Sequence, residues 1–449
     1  MIVMKFGGSS LESAVAIDRV ASIVRDRLHR RPVVVVSAMG KTTNRLLEMA
    51  GAAVKGDRTA AREQLRSLES YIVREGGSVG GQVDQHLRDL SSLIEGLAVL
   101  GELTPRSVDA LSAFGERLSS LIVADRFRAL GIDSLHQDAR DYIVTDDRHT
   151  QAAPLYPETY ANLARLRPLA ARQVVVTGGF IGSTRAGVTT TLGRGGSDFS
   201  AAIIGAGIGA EEIQIWTDVD GMLTCDPRII PVGHRVKMIS FGEAAELAYF
   251  GAKVLHPSTV LPAIEKNIPV LILNSRRPEV EGTRIVAEAV SCRNTFKAIA
   301  CKQGITSVHI RSTRMLMAHG FLRRIFEVFD RFETPVDLIA TSEISVSLTI
   351  DSTRRLDEVV TELEQFSEVT VESDQAVICL VGANIHCTPG IAGRVFRVLN
   401  GTNIRMISQG ASDLNLSFVV ASGDLTGAVE ALHNEFFSDL DPAVFERKQ

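Results

Sequence analysis

Apolar residues along this chain come in two rhythms, short unbroken runs and longer stripes at helical spacing. Residues 1–6 open with an apolar run ending at Lys5-Phe6, and Gly7, Gly8, Ser9 and Ser10 then form a turn. Val15, Ile17, Val20, Ile23 and Val24 follow at the spacing of one helix face. Residues 32–37, PVVVVS, are apolar throughout, as in a strand buried on both faces of a parallel sheet. From residue 44 to about 131 the pattern predicts mostly helix, with a Gly-rich break at 76–81 and a start signal at Thr104-Pro105. In the helix expected over 106–128, Leu111, Phe114, Leu118, Leu121 and Ile122 form the core face. Ser112, Glu116 and Ser119 share a neighbouring polar stripe beside Gly115, so Glu116 is either a solvated helix glutamate or one facing a ligand across an open surface.

Strand-like runs return at 173–187, at 212–225 with Ile213 and Ile215 alternating with polar residues, and at 269–274. A helix is expected over 236–257. Beyond residue 301, two βαβ-like stretches, 305–363 and 376–432, read as a weak internal repeat. Pro335-Val336-Asp337 and Gly401-Thr402-Asn403 occupy matching places in them. The alternation of strands and helices in the first two thirds points to an α/β fold with a mainly parallel sheet.

Composition narrows the function classes. The chain has 449 residues, 45% hydrophobic and 22% charged, the profile of a globular protein of about three domains. A net charge of -5 and a pI near 6.1 supply no basic field for nucleic acid or an acidic membrane. Five scattered cysteines without a C-x-x-C suit the reducing cytoplasm rather than a zinc or disulfide framework. With no apolar run near the ~20 residues of a spanning helix and no secretory leader, a soluble, unexported protein is expected.

The strongest chemical signal is TTTLGRGGSDFSAA at 189–202. Gly193, Gly195 and Gly196 make a turn between a strand end and a helix beginning near Ser197-Asp198, and Arg194 adds a full charge where the helix dipole already favours an anion. Lys5 and the Gly7-Gly8 turn repeat that logic. Gly40-Lys41-Thr42 resembles the end of a Walker loop, but that motif needs glycine where Val35 stands.

Together, Lys5-Phe6-Gly7-Gly8-Ser9-Ser10, VVSAMGKTTN, Phe114-Gly115-Glu116-Arg117, the 193–198 turn, Thr217-Asp218-Val219-Asp220-Gly221, Asp226-Pro227-Arg228 and the FGAKVLHP run at 250–257 resemble the aspartate kinases of the amino-acid kinase family. The resemblance spans the whole chain, including a tail like a tandem pair of ACT domains, and is closest in kind to the monofunctional, lysine-sensitive type. It implies an α/β/α sandwich over 1–290, followed by two α+β, ferredoxin-like ACT domains at 299–370 and 375–449 whose strands interleave. It also implies ATP-dependent phosphorylation of L-aspartate, with Mg²⁺ carried on the phosphates and no metal site of the protein's own.

By the same resemblance, Lys5 and Asp198 are the catalytic pair, and Thr43, Glu116, Arg194, Gly195, Gly196 and Ser197 take aspartate. Lys5, Gly7, Gly8, Ser9, Thr217, Asp218, Leu223, Arg228, Lys253 and Val254 hold ATP; Leu223 departs from the tyrosine common in lysine-sensitive relatives. His319, Gly320, Phe321, Leu322, Val336, Asp337, Thr341, Ser342 and Glu343 would bind L-lysine as a feedback inhibitor. A homodimer or homotetramer formed through the ACT domains is implied. Two alternatives stand beside this reading: a glutamate or acetylglutamate kinase of the same fold, and a non-catalytic amino-acid sensor.

Overall fold

A computed structural model describes residues 1–76, 81–251, 257–288, 290–312 and 319–447. The chain divides into two compact units, one formed by 1–222 and 254–288, the other by 223–253 and 289–449.

The first unit is built on strands β1 (Ile2–Phe6), β2 (Pro32–Val36), β3 (Ser134–Gln137), β4 (Val174–Gly178), β5 (Glu212–Thr217), β6 (Val270–Asn274) and β7 (Thr283–Val286). Their spatial order is β7-β6-β5-β1-β2-β4-β3. All neighbouring pairs are parallel except β6 with β7. Val33 to Val36 of β2 are all fully buried, because both faces of a parallel sheet are covered by its crossover helices. Ile2, Met4, Phe6, Val34, Val36 and Trp216 turn to one side, into a core shared with the helices Ala14–Arg25, Thr42–Val54, Arg58–Gly76, Gly81–Leu100 and Pro105–Ala129. The helix Gly196–Ile208 lies on the opposite face; a methyl group on Gly205 would stand 2.7 Å from Ile213 Cδ1 and 3.8 Å from Val3 Cγ2. Lys5 lies in register with Val35 and Ile215. Parallel strands thus bring Lys5, Gly178 and Thr217 to the same carboxyl edge, where open α/β sheets bind ligands.

The second unit is a six-stranded sheet of β8 (Ala298–Arg311), β9 (Ile339–Thr341), β10 (Ser345–Ile350), β11 (Glu368–Val381), β12 (Met406–Gln409) and β13 (Asn415–Ala421). The order is β9-β10-β8-β11-β13-β12, antiparallel throughout. Each half reads long strand, helix, hairpin, helix, with helices Phe321–Arg331 and Leu356–Leu363 in one and Ile391–Val398 and Leu425–Phe437 in the other. The repeat expected from sequence is therefore present, each half gaining a strand and a helix over a simple βαβ. The 14-residue strands β8 and β11 pair from Ala298–Val381 to Arg311–Glu368, so the halves share one continuous sheet.

Two features depart from the sequence pattern. The helix expected over 236–257 is shorter, Phe241–Tyr249, and two short strands, Arg235–Val236 and Met238–Ser240, precede it. A capping box fixes its start: Ser240 Oγ accepts from the Glu243 amide and the Glu243 carboxylate accepts from the Ser240 amide. Residues 252–256 of the FGAKVLHP run lie outside the described residues. Segment 223–253, N-terminal to the expected boundary at 290, clusters with the second unit. Ile299 N donates to Thr224 O at 2.7 Å, Val236 pairs with Phe445, and the fully buried Lys297 Nζ stands 2.9 Å from Glu243 Oε2.

Candidate active site

The carboxyl edge of the first sheet opens into a cavity of about 300 Å³ lined by Lys5, Gly8, Ser37, Ala38, Gly40, Thr43, Glu116, Phe180, Gly193, Gly195, Gly196, Ser197 and Asp198. Four loops and the helices Thr42–Val54, Pro105–Ala129 and Gly196–Ile208 meet there because small residues let them approach. A Cβ on Gly8 would fall 2.7 Å from Gly40 O, one on Gly115 2.7 Å from Ala38 Cβ, and one on Gly179 2.8 Å from Ser197 Cα. Gly193 and Gly195 have φ of 78° and 70°, a conformation in which a side chain is costly.

Charges of both signs face this space. Lys5 Nζ, at the end of β1, lies 2.7 Å from Asp198 Oδ1 in the first turn of the helix Gly196–Ile208, with both side chains mostly buried. Glu116 is buried in the middle of the helix Pro105–Ala129. Its Oε1 accepts from Ala38 N at 3.1 Å, and its Oε2 is buried without a partner. Burial pushes the Glu116 carboxyl up to about 8, against the opposing pull of the Ala38 hydrogen bond and of Lys5. A carboxyl with an orphaned oxygen aimed into a polar cavity is a receptor for a hydrogen-bonding cation.

Most of the residues assigned to aspartate and catalysis by sequence are thus brought together: Lys5, Thr43, Glu116, Gly195, Gly196, Ser197 and Asp198 share one cavity. Arg194 does not line it; it stands exposed at the crest of the turn. Ser37, Ala38 and Phe180 line the cavity and were given no role from sequence. Phe180 carried a signal: it follows two glycines, and its φ of 66° with its amide bonded to Ser200 Oγ at 2.9 Å marks a constrained turn.

Gly7 N donates to Trp216 O at 3.2 Å, tying the glycine turn to β5, and Ser9 lies in the short 3₁₀ turn Gly8–Ser10. Thr217 Oγ1 donates to the exposed Asp218 carboxylate at 3.2 Å, and Ser275 N donates to Thr217 O at 2.9 Å. In the second unit, Arg228 is paired with Asp226 at 2.6 Å, and Leu223 bridges Arg235. Lys253 and Val254 lie outside the described residues.

The residues assigned to an effector do not form one cluster: Asp337 N donates to Thr349 O at 2.8 Å, at the other end of the β9–β10 hairpin from the tip that carries Thr341, Ser342 and Glu343. His319 and Gly320 precede the helix Phe321–Arg331, Phe321 is buried in its core, and Leu322 is 41% exposed. Thr341, Ser342 and Glu343 form the exposed hairpin tip between β9 and β10. Val336 is half-buried. Asp337 already has a cation: its Oδ1 accepts from Lys302 Nζ at 2.8 Å and from Tyr249 Oη at 3.1 Å, while Oδ2 is buried without a partner.

Comparison with known proteins places residues 1–274 in the amino acid kinase family and residues 378–436 in an ACT domain. The chain is 40% identical to aspartokinase 1, chloroplastic, of Arabidopsis thaliana, over 98% of this chain and 80% of that one. It is 37% identical to lysine-sensitive aspartokinase 3 of Escherichia coli, over 97% and 99% of the two chains. Among solved structures it matches Escherichia coli aspartokinase III in complex with aspartate and ADP, with a TM-score of 0.83 at 35% identity over 98% of this chain and all of that one. The same enzyme in complex with lysine and aspartate matches at 0.84.

Proposed function

Since this chain belongs to the amino acid kinase family, and within it is an aspartate kinase, we propose that the cavity around Lys5, Glu116 and Asp198 is where L-aspartate receives a phosphoryl group from ATP. The reaction transfers the γ-phosphoryl group to the β-carboxylate, giving 4-phospho-L-aspartate and ADP. One O–P bond forms to the carboxylate and one breaks to ADP, and no proton changes place. The acceptor has an ordinary pKa of about 3.9 and is already ionised at neutral pH, so no general base is required. What opposes the step is repulsion between that anion and the phosphates, so catalysis consists of positioning and of positive charge at the transferring group.

The single observation that carries this reading is the Lys5–Asp198 ion pair at 2.7 Å in the same cavity as Glu116 with its unpartnered oxygen. Asp198 holds the lysine ammonium toward the phosphoryl group. Glu116 receives the α-ammonium of aspartate, Thr43 and Ser197 supply hydroxyls, and Arg194 swings from its exposed position onto a carboxylate, which its fork grips with two hydrogen bonds. Gly7, Gly8 and Ser9 face the phosphates, which bring Mg²⁺ with them. Thr217 and Asp218 take the rest of the nucleotide.

The second unit is the regulatory part, with L-lysine as inhibitor. One of its ammonium groups suits Asp337, where the effector competes with the side chain of Lys302, a tethered copy of its own head group; Glu343, at the hairpin tip, is a second carboxylate for an amino-acid effector. The protein works in the cytoplasm as a homodimer or homotetramer joined through the ACT strands. Trapping the acyl phosphate with hydroxylamine tests the substrate: with ATP and Mg²⁺, L-aspartate yields hydroxamate and L-glutamate or N-acetyl-L-glutamate does not. Hydroxamate from either of those acids but not from aspartate overturns the reading.

A further inference from the structure

Asp109 lies two helical turns before Glu116 on the helix Pro105–Ala129, and its side chain is fully buried. A carboxylate in that position is stable only if its oxygens are satisfied, and here each oxygen has two contacts, the full complement of a carboxylate. His149 Nδ1 lies 2.6 Å from Oδ2; the Thr150 amide donates to Oδ1 at 3.0 Å and to Oδ2 at 3.1 Å; Thr191 Oγ1 donates to Oδ1 at 2.6 Å. Thr150 is held at φ 71°, a left-handed backbone that a β-branched residue rarely adopts unless its surroundings impose it.

These partners border the Gly-rich turn. Thr191 is two residues before Gly193, and its carbonyl accepts from Ala152 N at 2.9 Å. The Thr150 carbonyl lies where it would be 3.2 Å from a Cβ on Gly193, so the strap 149–151 presses on the turn from behind. Gly193 O in turn accepts from Gly196 N at 3.0 Å, at the start of the helix that carries Asp198. One carboxylate therefore ties the helix bearing Glu116 to the loop bearing Arg194, Gly195 and Gly196.

We propose that Asp109 is a positioning residue for the acid substrate: by holding Thr150 and Thr191 it fixes the distance between Glu116 and the 193–196 turn, and that distance selects an acid of aspartate's length. This rests on the reading that Glu116 and the turn grip opposite ends of aspartate. Asp109 touches neither substrate nor nucleotide. Loosening it lets the turn drift from Glu116, which weakens the grip on aspartate and relaxes the exclusion of the acid one methylene longer, while the nucleotide end is untouched.

The test is steady-state hydroxamate kinetics on the full-length chain with L-aspartate and L-glutamate, for wild type, Asp109→Asn, Thr191→Val and Arg194→Ala. Asp109→Asn and Thr191→Val are expected to raise KM for aspartate at least tenfold, to change KM for ATP less than about twofold, and to lower the kcat/KM preference for aspartate over glutamate at least tenfold. A merely structural residue would lower the yield of active enzyme, and so the apparent kcat, at unchanged KM and unchanged preference. Thr191→Val removes one hydroxyl at constant volume and decides the matter if Asp109→Asn does not fold. If Arg194→Ala raises KM for aspartate while both other variants keep wild-type KM and preference, this inference is wrong and the site reading stands. If Arg194→Ala also leaves KM for aspartate unchanged, the site reading itself fails.

Discussion

Replacing Glu116 by glutamine should make the ligand-free protein more stable, increasingly so as the pH rises. The carboxyl is completely buried and has a folded pKa of about 8 against an ordinary 4.5. Between those values the folded protein holds a proton that the unfolded chain has released, so stability is fully present below pH 4.5 and is lost as pH rises through 8. The two values lie about 3.5 pH units apart, and at 1.36 kcal/mol per unit the window spans roughly 5 kcal/mol, of which about 2.7 kcal/mol falls between pH 6 and pH 9. Glutamine keeps the acceptor for Ala38 N and never ionises. With an unfolding entropy of about 2.1 cal/mol/K per residue over 449 residues, the gap in Tm between variant and wild type should widen by about 3 °C from pH 6 to pH 9, in the variant's favour. Differential scanning calorimetry without ligands at the two pH values measures this, since every other group titrates alike in both proteins. A gap that stays constant, or one that closes toward pH 9, would refute a buried neutral carboxyl at this position.

Other consequences follow from the same geometry. At pH 7, aspartate binding should release about 0.9 proton from Glu116, the fraction protonated for a pKa near 8; calorimetry in two buffers of different ionisation enthalpy reads the number, and zero release would contradict contact with the α-ammonium. Arg194→Lys keeps the charge but loses the two-pronged grip, so KM for aspartate should rise about tenfold, the equivalent of ~1.4 kcal/mol, with KM for ATP nearly constant; equal effects on both would place Arg194 outside the acid's site. Glu343→Lys should raise the lysine concentration for half-inhibition more than tenfold, and unchanged inhibition would remove the hairpin tip from the effector site.

Much of this arrangement is legible in the residues alone. The all-valine run of β2, the Lys5-Gly7-Gly8 turn and the 193–198 turn each state their conformation locally, and parallel pairing then brings their ends to one edge. Glu116 illustrates the limit. Its stripe of small and polar neighbours favoured a solvated position over a ligand-facing one, and the choice was made the other way by distant residues, Ala38 and Gly178, that close over it. Asp109 is harder still, because nothing in a helix sequence distinguishes an exposed aspartate from one that ties down Thr150 and Thr191 from 41 and 82 residues away. The allegiance of 223–253 to the second unit is equally hidden. Periodicity names the element, but the buried Lys297–Glu243 pair and the Val236–Phe445 ladder that anchor this segment are long-range choices.

Lys5→Met is the most direct trial of charge stabilisation at the phosphoryl group. Lys5 is fixed by Asp198 at 2.7 Å and is assigned to the charge that develops during transfer, so its loss should fall on turnover rather than on binding. At saturating aspartate and ATP, kcat for hydroxamate formation should drop by at least ~100-fold, the scale for removing one such group, while the Kd for ATP changes far less. A variant that turns over at near wild-type kcat would contradict this role for Lys5 and with it the chemistry assigned to the cavity.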